Sequence, residues 1–326
     1  MPQNFRFHRR IARLRAFVPA ALLVALVACD RGGAFTPDNS MTPQDADQGP
    51  LLADEANGTE VIEVSDAATA NASFAGGIPI GIAQQPLTYF GSRYNGSKLT
   101  LSPSQLRSAL ATVKSRGGKV VLMLVGPEQN FKNAAGNFDL GKWKARVDRF
   151  KNVDFDSYVN DGTVIGHFLI DEPNDPYNWN GKPVTPSTLE EMGRYSKQYW
   201  PNMATIVRVD PSYLSSNHRY VDAAWAQYLS RRGNVNDYIR RVVNDAQNRG
   251  LGLVVGLNLL KGGTPNGTKM TPSEVVTWGS ALLSSTYPCA FISYTYGTYV
   301  TSGTLNSAMD QLRRKAESRS SRSCRG

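Results

Sequence analysis

Short runs of Val, Ile and Leu alternate with longer amphipathic stretches over the last two-thirds of the chain. Seven runs read as buried parallel strands, apolar on both faces: IPIGIA (78–83), KVVLMLV (119–125), VIGHFLID (164–171), TIVRVD (205–210), DAAWAQ (222–227), LGLVVGLNLL (251–260) and AFISYTY (290–296). Between them, SPSQLRSALATVKSRGG (102–118) reads as a helix, with a Ser N-cap, Pro at its first position and Gly at its end. Residues 140–150, 185–200, 235–250 and 271–285 read likewise, and 302–319 is the closing helix. This alternation predicts the α/β class, as a single (β/α)8 TIM barrel over 76–326, a length of about 250 residues that suits one such barrel. The eighth strand is expected near QQPLTYFGSRYNGSKLT (84–100), in a loop-like or irregular form. A doubly wound sheet is the rival, but neither GxGxxG nor GxxxxGK[ST] follows a strand.

The first 75 residues are different material. Arg6, Arg9, Arg10, Arg13 and Arg15 precede the apolar run FVPAALLVALVA (17–28), too short to span a bilayer comfortably, so 1–29 reads as a signal peptide. It ends in Leu26-Val27-Ala28-Cys29, which resembles the bacterial lipobox. That resemblance implies cleavage before Cys29 and lipidation of its thiol; the alternative is an ordinary signal with a chance cysteine. Residues 30–75 carry nine acids against Arg31, few aromatics and no sustained period, and are expected to form a disordered acidic tether. The chain is thus expected to be exported and anchored by lipid to a bacterial membrane or envelope, facing the periplasm or exterior.

Net charge of +9 conceals this division. Residues 76–326 hold 30 basic and 18 acidic residues, and six of the bases lie between Arg313 and Gly326. The bases are scattered or terminal, without a nucleic-acid motif, so nucleic acid is not expected as a partner; a surface facing anionic lipid or cell-wall polymer is. With Cys29 set aside, Cys289 and Cys324 form an even pair expected to make one disulfide. Only His167 and His218 remain outside the signal, no Cys/His spacing suits a metal, and no cofactor is expected.

Chemistry is concentrated at GHFLIDEPNDP (166–176), where an apolar strand runs into Asp171 and Glu172 before Pro173 breaks it. Asp171-Glu172-Pro173 resembles the fourth-strand Asn-Glu-Pro of retaining TIM-barrel glycoside hydrolases, and residues 76–326 resemble bacterial barrel proteins of that general type. The resemblance implies a carbohydrate substrate and Glu172 as the general acid. Glycoside cleavage also needs a second carboxylate. The resemblance would place it after the seventh strand, yet GLVVGLNLLKGG (252–263) offers Asn258 and Lys261 and no acid. Asp210 is the first candidate for the second acid and Glu128 the next, with Asp222 behind them at the start of its strand. A partner displaced in this way suits an inverting mechanism, with carboxyls about 6.5–9.5 Å apart.

Strand alternation puts Glu172 on the face of Phe168 and Ile170, and Asp171 on that of His167 and Leu169, unless the strand end kinks. Asp171 is then expected to orient the acid or hold a hydroxyl. Trp179, Trp225, Tyr294 and Tyr296 are candidate sugar-stacking rings, and Asn258, Gln227 and Arg208 candidate hydroxyl ligands. Trp225 could instead fill the barrel. Arg208, between two valines, enters either the lumen or the helix layer. The reading is an exported glycoside hydrolase; the alternative is a carbohydrate-binding or scaffold lipoprotein on the same fold, without catalysis.

Overall fold

The computed structural model describes residues 76–326; the expected signal peptide, Cys29 and the tether lie outside the described residues. Eight parallel strands close into a barrel in sequence order. They are β1 (Ile80–Ile82), β2 (Gly96–Thr100), β3 (Lys119–Met123), β4 (Val164–Asp171), β5 (Thr205–Arg208), β6 (Ala223–Tyr228), β7 (Gly252–Leu257) and β8 (Ala290–Ser293). At β3, β5, β7 and β8 the apolar run outlasts the ladder. Val125, Val209, Leu259 and Tyr294 stay buried as the chain turns over the barrel mouth.

The eighth strand of the count is β2. Its sequence, GSKLT, carries one aliphatic side chain, because Ser97 and Lys98 are polar residues in a buried strand. Lys98 Nζ lies 4.6 Å from the centre of the Phe168 ring and 3.8 Å from Met123 Sδ. Phe168 meets Trp225 edge-on at 5.5 Å. Side chains from β2, β4 and β6 therefore meet across intervening strands, which defines the lumen and fills it.

Outside lie α1 (Pro103–Ser115), α2 (Leu140–Asp148), α3 (Asp156–Asn160), α4 (Pro186–Tyr199), α5 (Val235–Arg249), α6 (Pro272–Leu282) and α7 (Gly303–Glu317). Ser102, Thr185 and Thr271 each precede a proline that opens a helix. At α6 the box closes reciprocally: Thr271 Oγ1 accepts from the Glu274 amide and Glu274 Oε2 accepts from the Thr271 amide. Two connections lack a full helix: β1 to β2 has only the short turn Leu87–Tyr89, and β5 to β6 only Pro211–Tyr213.

His167 lies fully buried behind β4, bonded to Ser196 Oγ at 2.8 Å and stacked on Trp143. Burial pushes its pKa down to about 3, so the ring is neutral and part of the helix–sheet packing.

After α7 the chain runs across the N-terminal ends of the strands, and Cys324 joins Cys289, just before β8, in a disulfide. A Cβ on Gly252, the first residue of β7, would lie 2.3 Å from the Cys324 carbonyl oxygen, so only glycine admits the tail there. Replacing both cysteines by serine reopens a loop spanning 35 residues and is expected to cost about 3–4 kcal/mol. Urea unfolding of the two chains side by side measures this; coincident midpoints would show that the bridge adds nothing.

Candidate active site

The mouth is organised by an irregularity in β4. Phe168 pairs with Ile206, but Ile170 pairs with Val207 and Asp171 with Arg208, so β4 holds one residue more than β5 over this stretch. Such a bulge reverses the alternation beyond it. Asp171 is thereby turned from the outer face it would share with His167 into the lumen beside Arg208. Glu172 follows with φ of +34°, a left-handed conformation that costs a non-glycine residue of order 1–3 kcal/mol. Its amide donates to the Arg208 carbonyl at 3.1 Å, and its own carbonyl accepts from Trp179 Nε1 at 3.0 Å. The two acids therefore converge instead of facing apart. The turn is made at the bulge and at Glu172 itself, ahead of the proline.

Arg208 is what they converge on. Its Nε donates to Asp171 Oδ1, its Nη2 lies 3.3 Å from Glu172 Oε1, and its Nη1 donates to Gln227 Oε1. Its guanidinium carbon lies 5.8 Å from the centre of the Tyr294 ring. Of the two placements open from sequence, the lumen is the one observed, with the residue 5% exposed.

Glu128 stands at the end of the neighbouring strand, in the short turn Glu128–Phe131 that follows β3. Burial raises its pKa, the negative charge of Asp171 raises it further, and Lys132 and Arg208 offset only part of this. The result is about 7. Lys132 Nζ is 3.4 Å from Glu128 Oε2 and 5.1 Å from the centre of the Trp179 ring. Water still reaches all three acids: the side chains of Glu128, Asp171 and Glu172 are 20%, 18% and 27% exposed. The mouth thus brings together a carboxyl that holds a proton near neutral pH and two carboxylates fixed on one guanidinium.

Other expected site residues are placed differently. Asp210 turns toward α5, where its Oδ2 accepts from Arg232 at 2.9 Å and Arg241 at 3.1 Å, outside the Arg208 cluster. Asp222 accepts from the Thr205 amide and pairs with Lys197 at 2.6 Å, at the start of β6 and the opposite end of the barrel. Trp179 is wholly buried, stacked on Phe131 and edge-on to Phe138, so it is the core of the loop beneath Glu172 and offers no face to a ligand. Trp225 fills the lumen under Phe168 at 2% exposure.

Gln227 serves Arg208, and Asn258 fixes the turn after β7 by accepting from the amides of Leu260 and Lys261. Tyr296 is half-buried, edge-on to Tyr89 at 5.5 Å, and the hydrogen bond with Tyr89, helped by burial, raises its pKa. Tyr89 and Lys132 were not singled out in the sequence. For Lys132 the available signal was its place four residues after Glu128.

No family model and no curated protein matches the sequence. Solved structures do. A β-glucanase from Saccharophagus degradans in complex with cellotetraose has a TM-score of 0.53 at 10% identity, over 74% of this chain and 88% of that one, and its native form gives the same values. A xylanase 10B from Thermotoga maritima has a TM-score of 0.49 at 12% identity, over 74% of this chain and 96% of that one. These neighbours are glycoside hydrolases, and at such identity the likeness is one of fold. The (β/α)8 barrel read from the sequence is the fold observed.

A carboxyl whose pKa is raised on folding stays protonated while its unfolded counterpart ionises. Glu128 therefore favours the folded state below pH 4.5, and that advantage is lost as pH rises through about 7. Glu128→Gln should flatten the decline, whose full size is about 3 kcal/mol. Urea midpoints at pH 5 and pH 8 decide it; equal slopes in both chains would refute the assignment. Arg208→Met, which strands two acids at the mouth, is expected to cost about 3–5 kcal/mol by the same assay.

Proposed function

We propose that this chain is a carbohydrate-active hydrolase of the glycosidase type. One observation carries the reading: Glu128 holds a proton near neutrality beside two carboxylates, at the end of the barrel where the βα loops form active sites. Glu128 donates that proton to the leaving oxygen. Glu172, more exposed than Asp171, faces the anomeric carbon or activates water. Asp171 anchors Arg208, which keeps the β4 and β5 ends in register. This arrangement gives Glu128 the donor role that the Asp-Glu-Pro resemblance suggests for Glu172. The β-glucanase of similar fold was solved with cellotetraose, so β-linked glucans head the panel.

Asn258 favours a second reading. It stands directly after β7, where the resemblance would put a nucleophilic acid, and it is spent on holding a turn. A carbohydrate-binding lipoprotein without catalysis fits that position. In either case we propose export and lipidation at Cys29, with 30–75 as the tether; incorporation of labelled fatty acid, lost in Cys29→Ser, tests this.

Incubation of the full chain with the glycan panel separates enzyme from binder. The hydrolase reading predicts reducing-end release that falls about tenfold per pH unit above about pH 7, as Glu128 loses its proton. Glu128→Gln should lower the rate by about 10²–10⁴ and leave glycan binding intact. Retention of a glycan without turnover by the parent chain would give the second reading.

A further inference from the structure

Opposite the mouth, the αβ connections and the C-terminal tail bring arginines to one pole. Arg116 caps the end of α1, Arg149 follows α2 and Arg219 lies just before β6. Arg319, Arg322 and Arg325 lie on the tail that the Cys289–Cys324 bridge holds across the starts of β7 and β8. None of these six makes an ion pair among the described residues. Of the acids nearby, Asp161 is engaged by Lys114, Asp222 by Lys197, Asp245 by Arg241 and Arg249, Glu317 by Arg313, and Glu190 by the amides of Arg219, Tyr220 and Val221. Asp154 and Asp156, exposed after α2, offset only part of the arginine charge.

Helix termini explain part of this, since cations favour the C-terminal ends of α1 and α2. Arg219, Arg322 and Arg325 lie on no helix. Arg319 is partly buried: its Nη2 donates to the Pro288 carbonyl at 3.0 Å and its Nε and Nη1 are enclosed, so it anchors the tail, and the exposed cations of the pole are the other five.

We infer that this pole is a docking surface for an anionic phospholipid bilayer. Unpaired guanidinium groups on one pole gain from a negative surface within a Debye length, about 8–10 Å at ordinary salt. Arg149, Arg219 and Arg322 each lie over a neighbouring ring, Phe150, Tyr220 and Tyr287. Rings capped in this way are not available to stack nucleobases, which separates this surface from a single-strand nucleic-acid groove. A pole held against lipid leaves the acid-bearing mouth facing away from the membrane. The inference does not depend on what that mouth cleaves.

Co-sedimentation with vesicles tests it, using the full chain with Cys29→Ser so that no acyl group contributes. Vesicles of phosphatidylcholine alone measure binding by the apolar leader, and the gain on adding phosphatidylglycerol measures the pole. That gain is expected to fall about 30-fold when Arg322 and Arg325 are both replaced by serine, and to vanish when salt shortens the Debye length to about 3 Å. Arg116→Ser with Arg219→Ser, elsewhere in the chain, should weaken it in the same direction at an unchanged urea midpoint. An equal gain in parent and both variants, or binding to polyanions such as DNA with no gain on phosphatidylglycerol, overturns the assignment.

Discussion

One buried guanidinium sets the terms for the upper half of this barrel. A charge taken out of water must be matched by opposite charge and hydrogen bonds, and Arg208 is matched by Asp171, Glu172 and Gln227 together. That requirement accounts for two departures from regular structure. The bulge in β4 brings Asp171 inward, and the left-handed Glu172 sends a second carboxylate to the same fork. Trp179 then supports the turned backbone from below, within a small aromatic core of its own. Burial of a third acid at the mouth, reinforced by the charge of Asp171, retains a proton on Glu128. Two of the three acids in the proposed chemistry are therefore placed by how a single cation is compensated.

The barrel was legible in the sequence wherever burial required aliphatic side chains on both faces of a strand. β4 runs Val164–Asp171, the full extent read from the letters, and every helix read from capping and periodicity is present. β2 was legible only as a place, 84–100, because two of its buried positions are Ser97 and Lys98, whose amine lies against Phe168 and Met123. No hydrophobic pattern reports a strand of that kind.

The site was legible as a location and not as a set of roles. Asp171, Glu172, Arg208 and Glu128 all lie at the mouth, but strand alternation alone sends the two adjacent acids to opposite faces. A bulge leaves no mark in residue types, and its effect on direction appears only with the pairing. Trp179 misled for a related reason: a tryptophan among polar residues looks exposed until Phe131 and Phe138 are seen to enclose it. Asp210 looked available until two arginines of the next βα unit claimed it.

The two helix-poor connections have a consequence for mechanics. They follow β1 and β5, four strands apart, and so lie on opposite flanks of an eight-stranded cylinder. The outer layer is interrupted along one diameter, leaving two half-shells, one clad by α1–α4 and the other by α5–α7. Arg208 stands on β5, at one of those seams, with its acids on one half-shell and Gln227 and Tyr294 on the other. The same side chain that arranges the acids is a rivet across the seam, and any hinge-like breathing of the halves would be felt first at the mouth.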